Sequence, residues 1–120
     1  MTPTEMVRRL TSNIEAARAT LDDGQAGYIL HSRDHTNFIC RHQATLWLGS
    51  PLDDRVPVYN THASAVVAQR YWNSVHSTDD TKKVVISLRR EAIVGYIDAQ
   101  QRTLDVLTNF TKEQPSERSY

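Results

Sequence analysis

The chain has 120 residues, which is the size of one domain. Its 14 Lys and Arg balance its 14 Asp and Glu, so the net charge is zero, which disfavours both a basic nucleic-acid-binding protein and a strongly acidic nucleic-acid mimic. The single cysteine excludes an internal disulfide, and the lack of a long apolar run or a signal peptide predicts a soluble, cytoplasmic protein without a membrane segment.

The first predicted element is an amphipathic helix over residues 3–22. Thr2 or Thr4 can cap its N-terminus, and Gly24 can end it by adopting a left-handed conformation. Apolar residues recur along it at spacings of three or four and form one stripe, which consists of Met6, Leu10, Ile14, Ala17 and Leu21.

Residues 26–59 have the pattern of β-strands joined by turns. The segments GYILHS and NFICRH flank the turn-forming segment RDHT, and the segments TLWLGS and RVPVYN follow. We expect a three-stranded antiparallel meander in which Pro57 marks an edge or a bulge, because proline cannot donate a ladder hydrogen bond.

The C-terminal half predicts a helix, a strand and a further helix. The second helix begins at Asn60 or Thr61, and its core-facing stripe is expected to be Ala63, Val67, Tyr71 and Val75. The segment KKVVISLRR alternates as a strand does, and a third helix is predicted over residues 90–110. Gly95 inside that helix costs about 1 kcal/mol relative to alanine, and a helix boundary near it is the alternative.

These elements predict a single α+β domain over residues 1–112. Their order is α-β-β-β-α-β-α, with a small antiparallel sheet of three to four strands packed with three helices. Residues 113–120 show no apolar periodicity and are predicted to form a flexible C-terminal tail.

The stretch HSRDHTNFICRH, residues 31–42, holds three histidines, an aspartate and the only cysteine. The strand register that keeps apolar residues together places Tyr28, Leu30, Phe38 and Cys40 on one face. His31 and His42 then lie on opposite faces and cannot share a metal ion, and the cysteine acts as a small hydrophobe. The stretch therefore predicts a hairpin without catalytic, cofactor-binding or metal-ligating residues. A small metal or thiol protein that uses Cys40 and His42 stays as an alternative.

Aromatic and arginine residues outside the predicted core are candidates for a protein interface. Trp47 lies in the link between strands, and Trp72 is one position away from the predicted stripe of the second helix. Such residues are enriched at protein–protein interfaces. The predicted interface residues are Trp47, Trp72, Arg41 and Arg70.

Residues 28–66, YILHSRDHTNFICRHQATLWLGSPLDDRVPVYNTHASAV, resemble a hairpin-strand-helix module of small phage and prophage proteins. The matching positions are Trp47, Arg55, Val56, Tyr59, Asn60, Thr61 and Ala65, whereas Pro57 and the link QATLWLGSP depart from the pattern. The resemblance implies a non-enzymatic protein of phage or mobile-element type that binds a host protein complex, as anti-CRISPR proteins do. A homodimer through the second face of the sheet is a further expectation, and a nucleic-acid-associated accessory protein is the main alternative.

Overall fold

The computed structural model describes the backbone of residues 2–117 and the side chains of residues 2–110. Four antiparallel strands lie in the order β3-β2-β1-β4, and three helices pack against them, which confirms the predicted α+β fold and its element order. The elements are α1 (Pro3–Leu21), β1 (Tyr28–Ser32), β2 (Phe38–His42), β3 (Thr45–Gly49), α2 (His62–Val75), a 3-10 turn (Asp80–Lys82), β4 (Val84–Leu88) and α3 (Arg89–Glu117).

Helix α1 has the predicted ends and packs antiparallel to α3. Thr2 caps it, because its Oγ1 accepts a hydrogen bond from the backbone N–H of Glu5 at 3.2 Å. Gly24 follows the C-terminus with a φ of 70°, in the left-handed region that glycine favours. Near the middle of α1, the Asn13 side chain reaches Gln100 of α3 at 3.4 Å.

The β1–β2 hairpin does not have the predicted register. His31 pairs with Phe38 and Ser32 N donates to the carbonyl of Asn37 at 2.8 Å, so the loop between Ser32 and Asn37 contains four residues, 33–36. Asp34 Oδ1 accepts hydrogen bonds from Ser32 Oγ at 2.6 Å, from Thr36 Oγ1 at 2.7 Å and from Thr36 N at 3.1 Å. Because these bonds stabilise a loop of even length, each β2 side chain lies on the face opposite to the predicted one relative to β1.

The register divides the core into two parts, one on each face of the sheet. On the α1/α3 face, Ile29, Phe38 and Cys40 are buried beneath α1, α3 and the loop of residues 50–58. On the α2 face, Leu30 and Ile39 pack with Val84 and with Trp72 of α2. The structure is therefore a three-layer arrangement with helices on both faces of the sheet.

Helix α2 faces the sheet with a different side from the predicted one. Ala65 and Trp72 are buried, whereas Val67, Tyr71 and Val75 are 70%, 62% and 60% exposed. Polar side chains set this orientation. Trp72 Nε1 donates to the carbonyl of Lys82 at 2.6 Å, and the amide of Asn73 bonds both the N–H and the carbonyl of Val84, at 2.9 and 3.2 Å. These bonds satisfy backbone groups of the edge strand β4 and of the 3-10 turn before it, and burial of the indole adds to the stability.

The segment of residues 55–60 is not a full strand, in contrast to the prediction. Tyr59 forms an isolated antiparallel bridge with Tyr28, through N–H···O bonds of 2.8 and 2.9 Å. Arg41 N donates to the carbonyl of Arg55 at 2.9 Å, so the segment enters between the diverging ends of β1 and β2. Pro57 has no N–H to extend the ladder, which limits the segment to single contacts.

Helix α3 is longer than predicted. It passes through Gly95 without a break and continues to Glu117, beyond the predicted end at Phe110. It is about 43 Å long and therefore extends beyond the five-residue strands, which span about 17 Å. The flexible tail predicted for residues 113–120 stays a prediction, and residues 118–120 lie outside the described part of the chain.

The orientation of α2 predicts opposite results for two substitutions. Trp72→Ala should lower the free energy of unfolding by about 3–5 kcal/mol, because it leaves a cavity and an unpaired carbonyl at Lys82. Val67→Ala should change it by no more than about 0.5 kcal/mol, because the valine is exposed. Urea unfolding of both variants measures this, and a cost at Val67 equal to that at Trp72 would show that α2 is rotated about its axis.

Candidate functional site

The histidine-rich hairpin forms a packed polar cluster. His31 is fully buried, its Nδ1 lies 2.7 Å from the carbonyl of Ser32, and its Nε2 lies 2.7 Å from Ser87 Oγ. A carbonyl only accepts, so Nδ1 carries the proton and Nε2 accepts from the serine hydroxyl. Burial lowers the pKa of His31, which keeps the ring neutral. One ring nitrogen therefore binds the backbone of β1, and the other binds a side chain of β4.

His35 explains the glycine in the middle of α3. Its backbone has a φ of 63°, and its ring stacks on His31 with centroids 4.3 Å apart. A Cβ added to Gly95 would overlap this imidazole ring, so the ring packs directly on the helix backbone. His35 Nδ1 is buried there without a hydrogen-bond partner among the described residues. The glycine, read from sequence as a weak point, is a site of close approach.

Cys40 and His42 do not form the pair that a metal or thiol protein needs. Cys40 is fully buried and burial raises the pKa of its thiol, while His42 is exposed at the end of β2. His31 and His42 lie on the same face, contrary to the prediction, but about 13 Å apart along the strand direction. Among the residues whose side chains are described, no three His, Cys, Asp or Glu groups could hold a metal ion.

A cavity of about 340 Å³ lies between the end of α1, the start of α3 and the loop of residues 51–58. Arg89 is 9% exposed there and binds both carboxylate oxygens of Asp23, each at 2.8 Å. At the other side, hydrogen bonds from Arg55 lower the pKa of Asp53 to about 2. Both arginines hold carboxylates of this chain, so neither offers a free cation to a ligand.

An open apolar groove lies between α2 and the β2–β3 hairpin, and we call it the α2 groove. A cavity of about 480 Å³ occupies one part of it, and a second cavity of about 120 Å³ continues along α2 to Val75 and His76. The exposed stripe of Val67, Tyr71 and Val75 borders it on the helix side. Its other principal lining residues are Arg41, Leu46 and Tyr59.

The described residues that line the α2 groove carry no negative charge, and Asp79 lies close to His76 at one end of it. Residues 35–52 and 55–78 contain no Asp or Glu, although the chain has 14 of them. Arg41 uses its Nε to donate to the carbonyl of Gln43 at 2.7 Å, and it forms no ion pair with any described carboxylate. An unpaired guanidinium beside an apolar groove is a typical feature of a protein-binding surface.

The four predicted interface residues do not form one surface. Arg41 lines the α2 groove, and Arg70 is exposed on α2 but does not line it. Trp47 lies on the α1/α3 face, where the guanidinium of Arg55 is 5.0 Å from its ring centre. Trp72 was wrongly expected to be outside the core: it is 7% exposed and packs on the sheet.

Sequence reasoning missed the residues that make the groove. It assigned Val67, Tyr71 and Val75 to the core because their spacing of four is typical of a buried stripe. The competing signal was Gln69 and Asn73, whose amides bind the backbone of Val84 and therefore face inward. Inward-facing amides can be inferred only when the edge strand that they satisfy is known.

The chain matches no protein-family model, no curated protein and no solved structure. No helix in the described part of the chain is long and apolar enough to cross a membrane.

The contact between His35 and Gly95 predicts that the effect of Gly95→Ala on stability changes sign when His35 is replaced. Gly95→Ala alone should destabilise the protein by about 1–3 kcal/mol, because the new methyl group overlaps the imidazole ring. In a His35→Gly background, the same change should stabilise by up to about 1 kcal/mol, because alanine is the better helix former. Denaturant unfolding of the four proteins measures this. Equal effects in both backgrounds would exclude the contact.

Proposed function

We propose that this chain is a small non-enzymatic binding protein of phage or mobile-element type that engages a host protein complex through the α2 groove. The complex we propose is a bacterial defence system such as CRISPR–Cas, in line with the resemblance of residues 28–66 to phage accessory proteins. The observation that carries the proposal is the row of Val67, Tyr71 and Val75, each at least 60% exposed beside an open groove.

The energetic argument for a partner rests on this row. Large apolar side chains gain about 25 cal/mol for each Å² of surface that is removed from water. The fold offers them no such burial, because α2 binds the sheet with its other side. A contiguous apolar surface of this kind is usual at protein interfaces and uncommon elsewhere on monomers.

The charged groups near the groove favour a protein partner over duplex nucleic acid. Binding to the phosphate backbone needs several convergent Lys and Arg side chains. Among the described residues that line the α2 groove, Arg41 is the one Lys or Arg. Tyr59 and Tyr71 beside one arginine match the composition of protein-binding hot spots.

The test is affinity purification of the tagged full chain from a bacterial host, with mass spectrometry of the proteins that co-purify. Val67→Glu should abolish capture of the specific partner, because it puts a charge into the apolar row. Val106→Glu is the matched control, since Val106 is 68% exposed on α3 and Val67 is 70% exposed on α2. It should leave capture unchanged.

If the partner is a CRISPR–Cas complex, expression of the chain should restore plaque formation by a targeted phage, and Val67→Glu should abolish that restoration. Unfolding measurements on both variants establish that they are folded. Capture of the same proteins by wild type and Val67→Glu would refute the use of the groove.

A further inference from the structure

The two faces of the sheet are covered unequally. On the α1/α3 face, α3 lies over β1 and β4, and α1 with the loop of residues 50–58 fills the space beside it. On the α2 face, α2 lies over β1 and β4, and no second described helix lies beside it over β2 and β3, where Leu48 and Tyr59 pack against the core. The α2 groove is the space that a second helix would take.

The dimensions of the groove fit a helix. Packed helices lie 8–10 Å apart, and four strands span about 14 Å between the outer strand axes, so a second helix beside α2 would cover the rest of this face. From Ser64 to His76 the groove follows α2 for about 18 Å, which is the length of a helix of 12–14 residues. Val67, Tyr71 and Val75, one turn apart, form a ridge against which such a helix can pack.

The charged residues near the groove indicate which charge the partner helix carries. Among the described residues, no Asp or Glu lines the groove, Asp79 lies beside His76 at one end of it, and Arg41 has no carboxylate partner. A second copy of α2 would bring no carboxylate, because His62–Val75 contains none. An acidic helix supplies the missing partner and is favoured by the local positive charge.

We infer that the α2 groove takes a short amphipathic helix of a partner protein, with an apolar stripe at helical spacing and Asp or Glu at its edge, opposite Arg41. This inference rests on the proposed function and specifies the partner of the same site. Tyr71 and Leu46 contact the apolar stripe, and the guanidinium of Arg41 pairs with a carboxylate.

The test is selection of a displayed library of random 14-residue peptides on the full-length chain, with the Val67→Glu variant as the counter-selected bait. The enriched peptides should carry apolar residues at i, i+3 or i+4, and i+7, and a net negative charge. Synthetic copies should bind the wild type in fluorescence anisotropy. Arg41→Glu should weaken them at least tenfold, and replacement of the facing peptide Glu by Lys should restore binding to that variant.

Each other outcome contradicts a different step. Peptides that need Val67 but are basic or extended would overturn the acidic helix and leave the groove as a binding site. A selection that enriches no peptides beyond those that also bind Val67→Glu would overturn both the inference and the proposed use of the groove. A wild-type dimer in sedimentation equilibrium that Val67→Glu converts to a monomer would assign the groove to a second copy, and would overturn the acidic partner.

Discussion

The register of the β1–β2 hairpin determines which side chains reach each face of the sheet. Asp34 accepts three hydrogen bonds within the loop, and Ser32 Oγ receives the N–H of Asn37 at 3.1 Å, so the loop has four residues and His31 pairs with Phe38. A slip of one residue would exchange the two faces of β2. The burial of Phe38 on the α1/α3 face and of Ile39 on the α2 face both depend on this loop.

The edge strand β4 determines the orientation of α2. The amides of Gln69 and Asn73 bond to Val84, and Trp72 donates to Lys82. These bonds turn one side of the helix toward β4. The helix then lies over one half of the sheet and leaves the other half open. The exposed row from Val67 to Val75 follows from this geometry, and the proposed function depends on it.

The sequence predicts correctly the features that depend on local periodicity. Its predictions are wrong where hydrogen bonds between distant segments or within the hairpin loop determine the structure. Thr2 and Thr61, each one of two predicted N-caps, cap their helices, and Ile14 and Ala17 of the predicted α1 stripe are buried, because helix caps and periodicity are local. The hairpin register is wrong because both registers pair apolar residues, and the loop bonds of Asp34 choose between them. For the groove, Arg41 was predicted, but the apolar row was placed in the core, because its spacing is the same in either orientation of α2.

The most direct test of this account is a nuclear Overhauser measurement on protein with labelled Leu and Ile methyl groups. In the structure Leu30 shares the α2 face with Ile39 and Trp72. The Leu30 methyl groups should therefore show cross-peaks to the methyl groups of Ile39 and to the indole of Trp72. Cross-peaks from Leu30 to the ring of Phe38, without any to Ile39, would show the other register and contradict the assignment of the two faces.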